Sequence, residues 1–123
     1  MLFRHSITFI GLPTSGKSEI GARTAATLNR DFIDTDHLMA RRYGAPLSGL
    51  LEQGPQVFRK AEETAILSLK PSSPVVIATG GSVVYSATSM NHLATFSTCV
   101  YLKMSLDELT RRLKTAPARP IVI

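Results

Sequence analysis

Several residue classes are scarce in this sequence, and each scarcity excludes a class of protein. Cys99 is the single cysteine, so no internal disulfide can form, and we expect a reducing, cytoplasmic compartment. No apolar run approaches the roughly 18 residues that cross a bilayer, and no small-residue cleavage site follows the apolar segment 7–12. We therefore expect no membrane association and no signal peptide. Charged residues make up 19% and hydrophobic residues 44% of the chain, a balance that excludes intrinsic disorder.

The length and the charge both favour one small domain that binds an anion. The 123 residues are enough for one domain with one hydrophobic core. Fourteen basic against nine acidic residues give a formal charge of +5, which favours anionic ligands. The basic residues are scattered rather than aligned, so the charge is a poor argument for nucleic-acid binding. We expect a monomer with a small-molecule ligand and no nucleic-acid partner.

Short, uniformly apolar strands alternate with helices along the chain. The predicted strands cover residues 7–10, 32–33, 75–79 and 99–102. The predicted helices cover residues 17–28, 37–43, 55 to about 70, and 105 to about 113, and a further helix is expected between the third and fourth strands. Val57, Ala61 and Ala65 lie on one face of the helix that follows residue 54. Strands that are apolar throughout are typical of a sheet covered on both faces. We therefore predict an α/β fold, a doubly wound parallel sheet of about four strands with flanking helices, in which ligands bind beyond the carboxyl ends of the strands.

Residues 11–18, GLPTSGKS, match the phosphate-loop pattern G-x-x-x-x-G-K-[ST] in full. In this pattern the glycines let backbone N–H groups turn toward phosphate oxygens, and the following helix directs its positive end to the same anion. Lys17 would reach the β- and γ-phosphates of a nucleotide, and Ser18 would ligate Mg²⁺. The alternative is an ordinary turn between a strand and a helix, with a solvated lysine. The predicted nucleotide-binding residues of the loop are Gly11, Thr14, Ser15, Gly16, Lys17 and Ser18.

Asp34 and Asp36 are separated by one residue at the end of the second predicted strand. Side chains two positions apart on an extended chain point the same way, so both carboxylates would face the phosphate loop if this strand neighboured the first. One would hold Mg²⁺ through water, and the other would orient or deprotonate an acceptor hydroxyl. The alternative is structural, with Asp36 as a helix cap and Asp34 as a turn residue.

Three further groups of residues have both a binding and a structural interpretation. Arg59, three residues before Glu62 on a predicted helix, either binds a substrate carboxylate while Glu62 orients it or forms a surface ion pair. Gly80 and Gly81 follow the third strand, and they allow either the close approach of a ligand or a turn with positive φ. Basic residues near the C-terminus either grip phosphates and stack on a base or interact with a helix C-terminus. These basic residues are Arg111, Arg112, Lys114 and Arg119.

The order and spacing of these segments resemble those of the shikimate kinase family, which are small P-loop kinases. The matching segments are GLPTSGKS, FIDTD, FRKAEE, VIATGG and the arginine-proline pair at 119–120. The resemblance therefore covers nearly the whole chain, and it implies a single P-loop kinase-like domain over residues 1–123. Within this domain, residues 37–70 would be the helical substrate-binding part and residues 114–123 the start of a truncated lid.

The resemblance implies transfer of the γ-phosphoryl group of ATP to the 3-hydroxyl of shikimate, with Mg²⁺ as the metal. On the nucleotide side it assigns Lys17 and Ser18 to the phosphates and the metal, and Asp34 to the metal through water. Arg112 would pack on the adenine, and Arg119 would be a lid arginine that touches the phosphate region. The implied catalytic residues are Lys17, Asp36 and Arg119.

On the acceptor side, the resemblance assigns hydroxyl binding and base catalysis to Asp36. Arg59 would hold the shikimate carboxylate with support from Glu62. Gly80 and Gly81 would offer backbone contacts to the substrate. All of these positions would lie beyond the carboxyl ends of the strands, where the predicted fold places a ligand.

The chain departs from the family pattern at four places. Ser82 stands where the family has a third glycine, Pro55 replaces a glutamate before the Phe-Arg pair, and Glu19 replaces a threonine after the phosphate loop. The chain also stops at Ile123, before the expected remainder of the lid, a second carboxylate-binding arginine and a fifth strand. Two alternatives therefore stay open: a kinase for another small hydroxy-acid, and a nucleotide-binding module without catalysis.

Overall fold

Four parallel strands form the centre of the fold, and helices pack against both faces of the sheet. The computed structural model describes residues 6–12, 15–44, 47–103 and 105–115. The strands are β1 Ser6–Ile10, β2 Asp31–Asp34, β3 Val75–Ala78 and β4 Ser97–Tyr101. The helices are α1 Lys17–Leu28, α2 Thr35–Tyr43, α3 Leu47–Glu52, α4 Pro55–Leu67, α5 Ala87–Phe96 and α6 Leu106–Thr115, and a 3₁₀ turn covers Val83–Tyr85. Within the described ranges, no helix is both long enough and apolar enough to cross a membrane.

The strands follow the order β2-β3-β1-β4 across the sheet, and every pairing is parallel. β1 and β3 are buried along their whole length because each has a strand on both sides, whereas the edge strands β2 and β4 are mostly half-buried. This arrangement confirms the predicted doubly wound parallel sheet of four strands. β2 does not lie beside β1, however. β3 separates them, with Ala78 opposite both Asp34 and Phe9.

Alternate residues of the central strands pack on opposite faces of the sheet. On one face, Ile77 packs with Ile66 of α4 and Leu93 of α5. On the other face, Val76 packs with Ala25 of α1. Burial of each large aliphatic side chain in such a core stabilises the fold by about 1.5–3 kcal/mol. A further apolar cluster joins α2, α3 and α4 into one helical layer, and its buried members are Met39, Leu50, Phe58, Ala61 and Ala65.

α1 packs closely against the sheet because Gly21 faces β2. A Cβ on Gly21 would lie 2.7 Å from Cε1 of Phe32, which is closer than packed carbon atoms approach each other. The helix has the predicted bounds, Lys17–Leu28. This close contact sets the first turn of α1, and with it Ser18, beside the carboxyl end of β2.

Three details of the helices differ from the prediction. α2 begins at Thr35 rather than at residue 37, because the Asp34 side chain caps it by accepting from the backbone N–H of Asp36. α3, which has six residues, lies outside the predicted helices. On α4, Ala61 and Ala65 are buried, whereas Val57, one turn earlier on the same predicted face, is 41% exposed. The buried face begins one residue later, at Phe58.

Candidate active site

Three strands end at one edge of the sheet, and predicted site residues follow each of them. Phe9 of β1 and Asp34 of β2 both lie opposite Ala78 of β3, so the three carboxyl ends are level. The phosphate loop follows β1, Asp34 joins β2 to α2, and Gly80 follows β3. The fold therefore brings the candidates for nucleotide binding and for acceptor binding to the same edge, where doubly wound sheets bind ligands.

The phosphate loop contains two glycines in backbone conformations that other residues rarely adopt. The angle φ is +152° at Gly11 and +90° at Gly16. A Cβ on Gly11 would also lie 3.0 Å from the carbonyl oxygen of Leu102, so the loop passes close to the end of β4. Pro13 and Thr14 lie outside the described residues, and the role of Thr14 stays a prediction.

Lys17 is held within the loop rather than in solvent. Its Nζ donates hydrogen bonds to the carbonyl oxygens of Gly11, at 2.8 Å, and of Leu12, at 2.7 Å. The residue is 8% exposed. The alternative of a solvated lysine in an ordinary turn is therefore wrong. An ammonium group shielded from water in this way interacts more strongly with a nearby anion than one in bulk solvent.

The start of α1 offers hydrogen-bond donors that suit an anion. The N-cap of the helix is Gly16, which has no side chain that could accept from the N–H groups of the first turn. The buried hydroxyl of Ser15 has no hydrogen-bond partner among the described residues. Together with the charge of Lys17, these donors fit the phosphate groups of a nucleotide.

Ser18 and Asp34 connect the phosphate loop to β2. Ser18 Oγ donates to Asp34 Oδ2 at 2.8 Å, and Asp34 Oδ1 accepts from the backbone N–H of Asp36 at 2.9 Å. Asp34, not Asp36, is therefore the helix cap: a capping role within this pair is confirmed, but its assignment to Asp36 is wrong. The extended geometry expected for the pair is also wrong, since the helix starts between the two residues. A hydroxyl and a carboxylate this close together suit Mg²⁺, which in nucleotide sites binds one or two protein oxygens together with phosphate oxygens.

Position 80 requires glycine because there is no room for a side chain, not because of its backbone conformation. A Cβ on Gly80 would lie 2.9 Å from Oε2 of Glu62 and 3.0 Å from Oδ1 of Asp36. Neither Gly80 nor Gly81 has a positive φ, so the alternative of a turn with positive φ is wrong. The backbone N–H of Gly80 donates to Oγ1 of Thr35 at 3.2 Å, which ties the end of β3 to the start of α2. Carboxylates from α2 and α4 thus converge beside the end of β3.

Glu62 is a buried acid at this point of convergence. The residue is 2% exposed, and its Oε1 accepts a hydrogen bond from Oγ of Ser82 at 2.9 Å. Its Oε2 has no hydrogen-bond partner in the described part of the chain. Burial raises the pKa of Glu62 to about 7; the Ser82 hydrogen bond opposes this rise, the charge of Asp36 adds to it, and the charge of Arg59 opposes it. The Glu62 carboxyl therefore changes its charge near neutral pH.

Arg59 lies on α4 one turn before Glu62. Its guanidinium carbon is 5.3 Å from the centroid of the Tyr85 ring, a distance at which an aromatic face attracts a cation. Both residues line a polar cavity of about 450 Å³, and Glu62 and Ser82 line it too. The sequence predicts a role for neither Ser82 nor Tyr85. Their partners on α4 are distant in the sequence, so no local pattern marks these contacts.

Known proteins match this chain over nearly all of its length. The family model for shikimate kinase matches residues 13–123. The chain belongs to the shikimate kinase family. A shikimate kinase from Paracidovorax citrulli is 39% identical over 120 residues, which make up 95% of this chain and 66% of that protein.

Solved shikimate kinases share the fold described above. One from Bacteroides thetaiotaomicron has a TM-score of 0.84 at 29% identity, over 94% of this chain and 66% of that one. One from Acinetobacter baumannii, solved in complex with shikimate, has a TM-score of 0.81 at 30% identity, over 88% of this chain and 62% of that one. This chain therefore spans just under two thirds of the length of these relatives. These matches confirm the predicted resemblance and the P-loop kinase fold.

Two further residues predicted for the shikimate kinase site lie at the C-terminal end. Arg112 is on α6, where its Nε donates to Oε1 of Glu108 at 2.6 Å. Arg111 binds the same carboxylate. Hydrogen bonds from Arg111, which has the larger effect, and from Arg112 lower the pKa of Glu108 to about 2. Arg119 lies outside the described residues, as does most of the predicted lid segment 114–123. The nucleotide contact of Arg112 and the phosphate contact of Arg119 stay predictions.

Proposed function

We propose that this chain carries the active site of a shikimate kinase, which transfers the γ-phosphoryl group of ATP to the 3-hydroxyl of shikimate. The observation that supports this reaction most is the convergence of three features at one edge of the sheet. They are a phosphate loop with a buried Lys17, the oxygen pair of Ser18 and Asp34, and the carboxylate of Asp36 beside Gly80. The solved relative that holds shikimate supports this choice of acceptor.

On the nucleotide side, the chain supplies positive charge and hydrogen-bond donors. Lys17 Nζ and the N–H groups at the start of α1 bind the β- and γ-phosphates and stabilise the charge on the transferred group. Ser15 Oγ adds a donor from within the loop. Ser18 and Asp34 hold Mg²⁺, which neutralises phosphate charge when it is bound. Phosphoryl transfer requires mainly positioning and charge stabilisation, and these residues are arranged for both.

On the acceptor side, Asp36 takes the proton of the 3-hydroxyl. The hydroxyl oxygen forms a bond to the γ-phosphorus while the bond from that phosphorus to the oxygen of ADP breaks, and the hydroxyl proton passes to the Asp36 carboxylate. Arg59 binds the shikimate carboxylate, since a guanidinium presents two parallel N–H donors to it. Gly80 makes room for the carboxylates of Glu62 and Asp36, and the backbone of Gly80 and Gly81 offers hydrogen-bonding groups to the substrate.

Finer assignments belong to the same proposal. Residues 1–123 form one P-loop kinase-like domain, in which residues 37–70 are the helical substrate-binding part and residues 114–123 begin the lid. Thr14 joins the phosphate contacts, Arg112 packs on the adenine and Arg119 reaches the phosphate region. The protein works as a cytoplasmic monomer, and it needs no nucleic acid because ATP and the acceptor are both small dissolved molecules.

A coupled assay of ADP release tests the proposed reaction. The 123-residue chain is incubated with Mg-ATP alone, with added shikimate, and with each of a panel of other small hydroxy-acids. We expect ADP release that depends on shikimate and saturates with it. ADP release that depends on a different hydroxy-acid would identify that compound, rather than shikimate, as the acceptor. Binding of ATP without release for any acceptor would identify a nucleotide-binding module and contradict the proposal.

A further inference from the structure

The turn after β3 contains a serine whose buried hydroxyl binds an acid on another element. Ser82 is 4% exposed and directly precedes the 3₁₀ turn Val83–Tyr85. Its Oγ donates to Oε1 of Glu62 on α4 at 2.9 Å. The bond therefore ties the loop that follows β3 to the helix that carries Arg59.

This bond fixes which way the two oxygens of Glu62 face. With Oε1 turned to Ser82, Oε2 lies 2.9 Å from the point that a Cβ on Gly80 would occupy, and Oδ1 of Asp36 lies 3.0 Å from the same point. Oε2 is buried and has no hydrogen-bond partner in the ranges that the structure describes. A buried carboxylate oxygen without a hydrogen-bond partner is unfavourable in a protein interior.

The groups that face Glu62 act on its charge in opposite directions. Asp36, from α2, disfavours the ionised carboxylate, and so does burial. Arg59, from α4 itself, favours the ionised form, and so does the hydrogen bond from Ser82. The hydroxyl of Ser82 therefore favours the form of Glu62 that attracts the guanidinium of Arg59.

We propose that Ser82 is a positioning residue for acceptor binding: its hydroxyl holds the Glu62 carboxyl turned toward Gly80, and Glu62 in turn holds Arg59 in place for the carboxylate of the acceptor. The inference rests on the proposed function, because it names what positions groups of that same site. Ser82 acts only through Glu62. Its loss therefore weakens acceptor binding and changes the pH dependence of that binding, while ATP binding stays the same.

Ser82→Ala removes the hydroxyl with little change in volume. We expect the KM for shikimate to rise about three- to tenfold, the loss expected for one ordinary hydrogen bond, with kcat and the KM for ATP unchanged. Without the donor Glu62 takes up a proton more readily, so the fall in shikimate affinity on acidification begins at a higher pH. Ser82→Thr keeps a hydroxyl and should restore both the KM and the pH profile. An unchanged KM and pH profile in Ser82→Ala would overturn the proposal.

Glu62→Gln tests whether Ser82 acts through Glu62. In that background, Ser82→Ala should cause no further rise in the KM for shikimate and no shift of the pH profile. A serine that only fills space would instead cause the same change in both backgrounds, because the two effects would be independent. That additive result would overturn the proposal.

An NMR titration of the Glu62 side-chain carboxyl carbon separates this inference from the proposed function, because it requires no turnover. The resonance is assigned by its loss in Glu62→Gln. A higher titration midpoint in Ser82→Ala supports the inference, and an unchanged midpoint overturns it even if the wild-type chain phosphorylates shikimate. A higher midpoint in a chain that does not respond to shikimate would overturn the proposed function alone. Ser82→Gly is the second deletion variant if Ser82→Ala does not fold.

Discussion

The hydroxyl of Ser18 donates a hydrogen bond to Oδ2 of Asp34 at 2.8 Å. The other oxygen of the same carboxylate accepts from the backbone N–H of Asp36 at 2.9 Å and so caps α2. One side chain therefore connects the phosphate loop to the helix that carries the proposed catalytic base. The Asp34 side chain caps the helix, and its charge is proposed to hold Mg²⁺. Substitution can separate these two roles.

Asp34→Asn should keep the cap and lose the charge, because asparagine caps a helix about as well as aspartate does. We expect nearly unchanged stability to urea and an increase of about 10- to 100-fold in the Mg²⁺ concentration that gives half-maximal turnover. Asp34→Ala is the matched comparison: it should show the same metal defect and lose about 1 kcal/mol of stability as well. An equal Mg²⁺ requirement in the wild type and Asp34→Asn would remove Asp34 from the metal site.

Lys17→Ala should slow phosphoryl transfer severely by removing the charge held at the phosphate loop. Loss of a group that stabilises developing charge lowers kcat by about two to three orders of magnitude. The measurement is kcat with saturating Mg-ATP and shikimate, together with a thermal melt that confirms folding. Lys70→Ala removes an exposed lysine remote from the loop and should leave kcat unchanged. Normal turnover in Lys17→Ala would mean that the loop does not bind the transferred phosphate.

Tyr85→Ala should weaken shikimate binding through Arg59. The Tyr85 ring lies 5.3 Å from the guanidinium carbon, and an interaction of this kind at an exposed site contributes about 0.5–1 kcal/mol. The KM for shikimate should therefore rise about two- to fivefold, with the KM for ATP unchanged. Tyr85→Phe keeps the ring and should behave like the wild type. If both variants raised the KM equally, the hydroxyl rather than the aromatic face would be responsible.

Glu62 should make the fold less stable as the pH rises from about 4.5 to about 7. Burial raises its pKa from the ordinary value of about 4.5 to about 7 in the folded chain. Between these values the folded state therefore binds more protons than the unfolded state. Stability then falls as the pH increases through this window, by on the order of 3 kcal/mol. Urea unfolding at pH 5 and at pH 8 should show this loss in the wild type and not in Glu62→Gln. The same pH dependence in both proteins would contradict the assignment.

Some features of the site follow from local sequence patterns. The pattern of residues 11–18 predicts both the phosphate loop and the start of α1, because residues within this short segment determine the angles at Gly11 and Gly16 and the beginning of the helix. The apolar strands likewise predict a parallel sheet, because their composition reflects burial on both faces.

Other features depend on contacts between distant segments. β2 lies beyond β3 rather than beside β1, and strand order depends on how the connecting helices cross the sheet, which no single segment encodes. Asp34 nevertheless reaches Ser18, because Gly21 lets α1 pack closely on β2. The bond between Ser82 and Glu62 forms only when α4 packs over the end of β3, so the sequence shows Ser82 merely as a replaced glycine.

Product analysis by two-dimensional phosphorus–proton NMR tests the central claim most directly. The chain is incubated with Mg-ATP and shikimate, and the position of the new phosphate is determined from the coupling of its phosphorus to a proton of the carbon ring. We predict one phosphomonoester whose phosphorus couples to the proton on C3, formed by the wild type and lost in Asp36→Asn although that variant still binds ATP. A phosphate on a different hydroxyl, or formation of the 3-phosphate by Asp36→Asn at the wild-type rate, would contradict this assignment of the site.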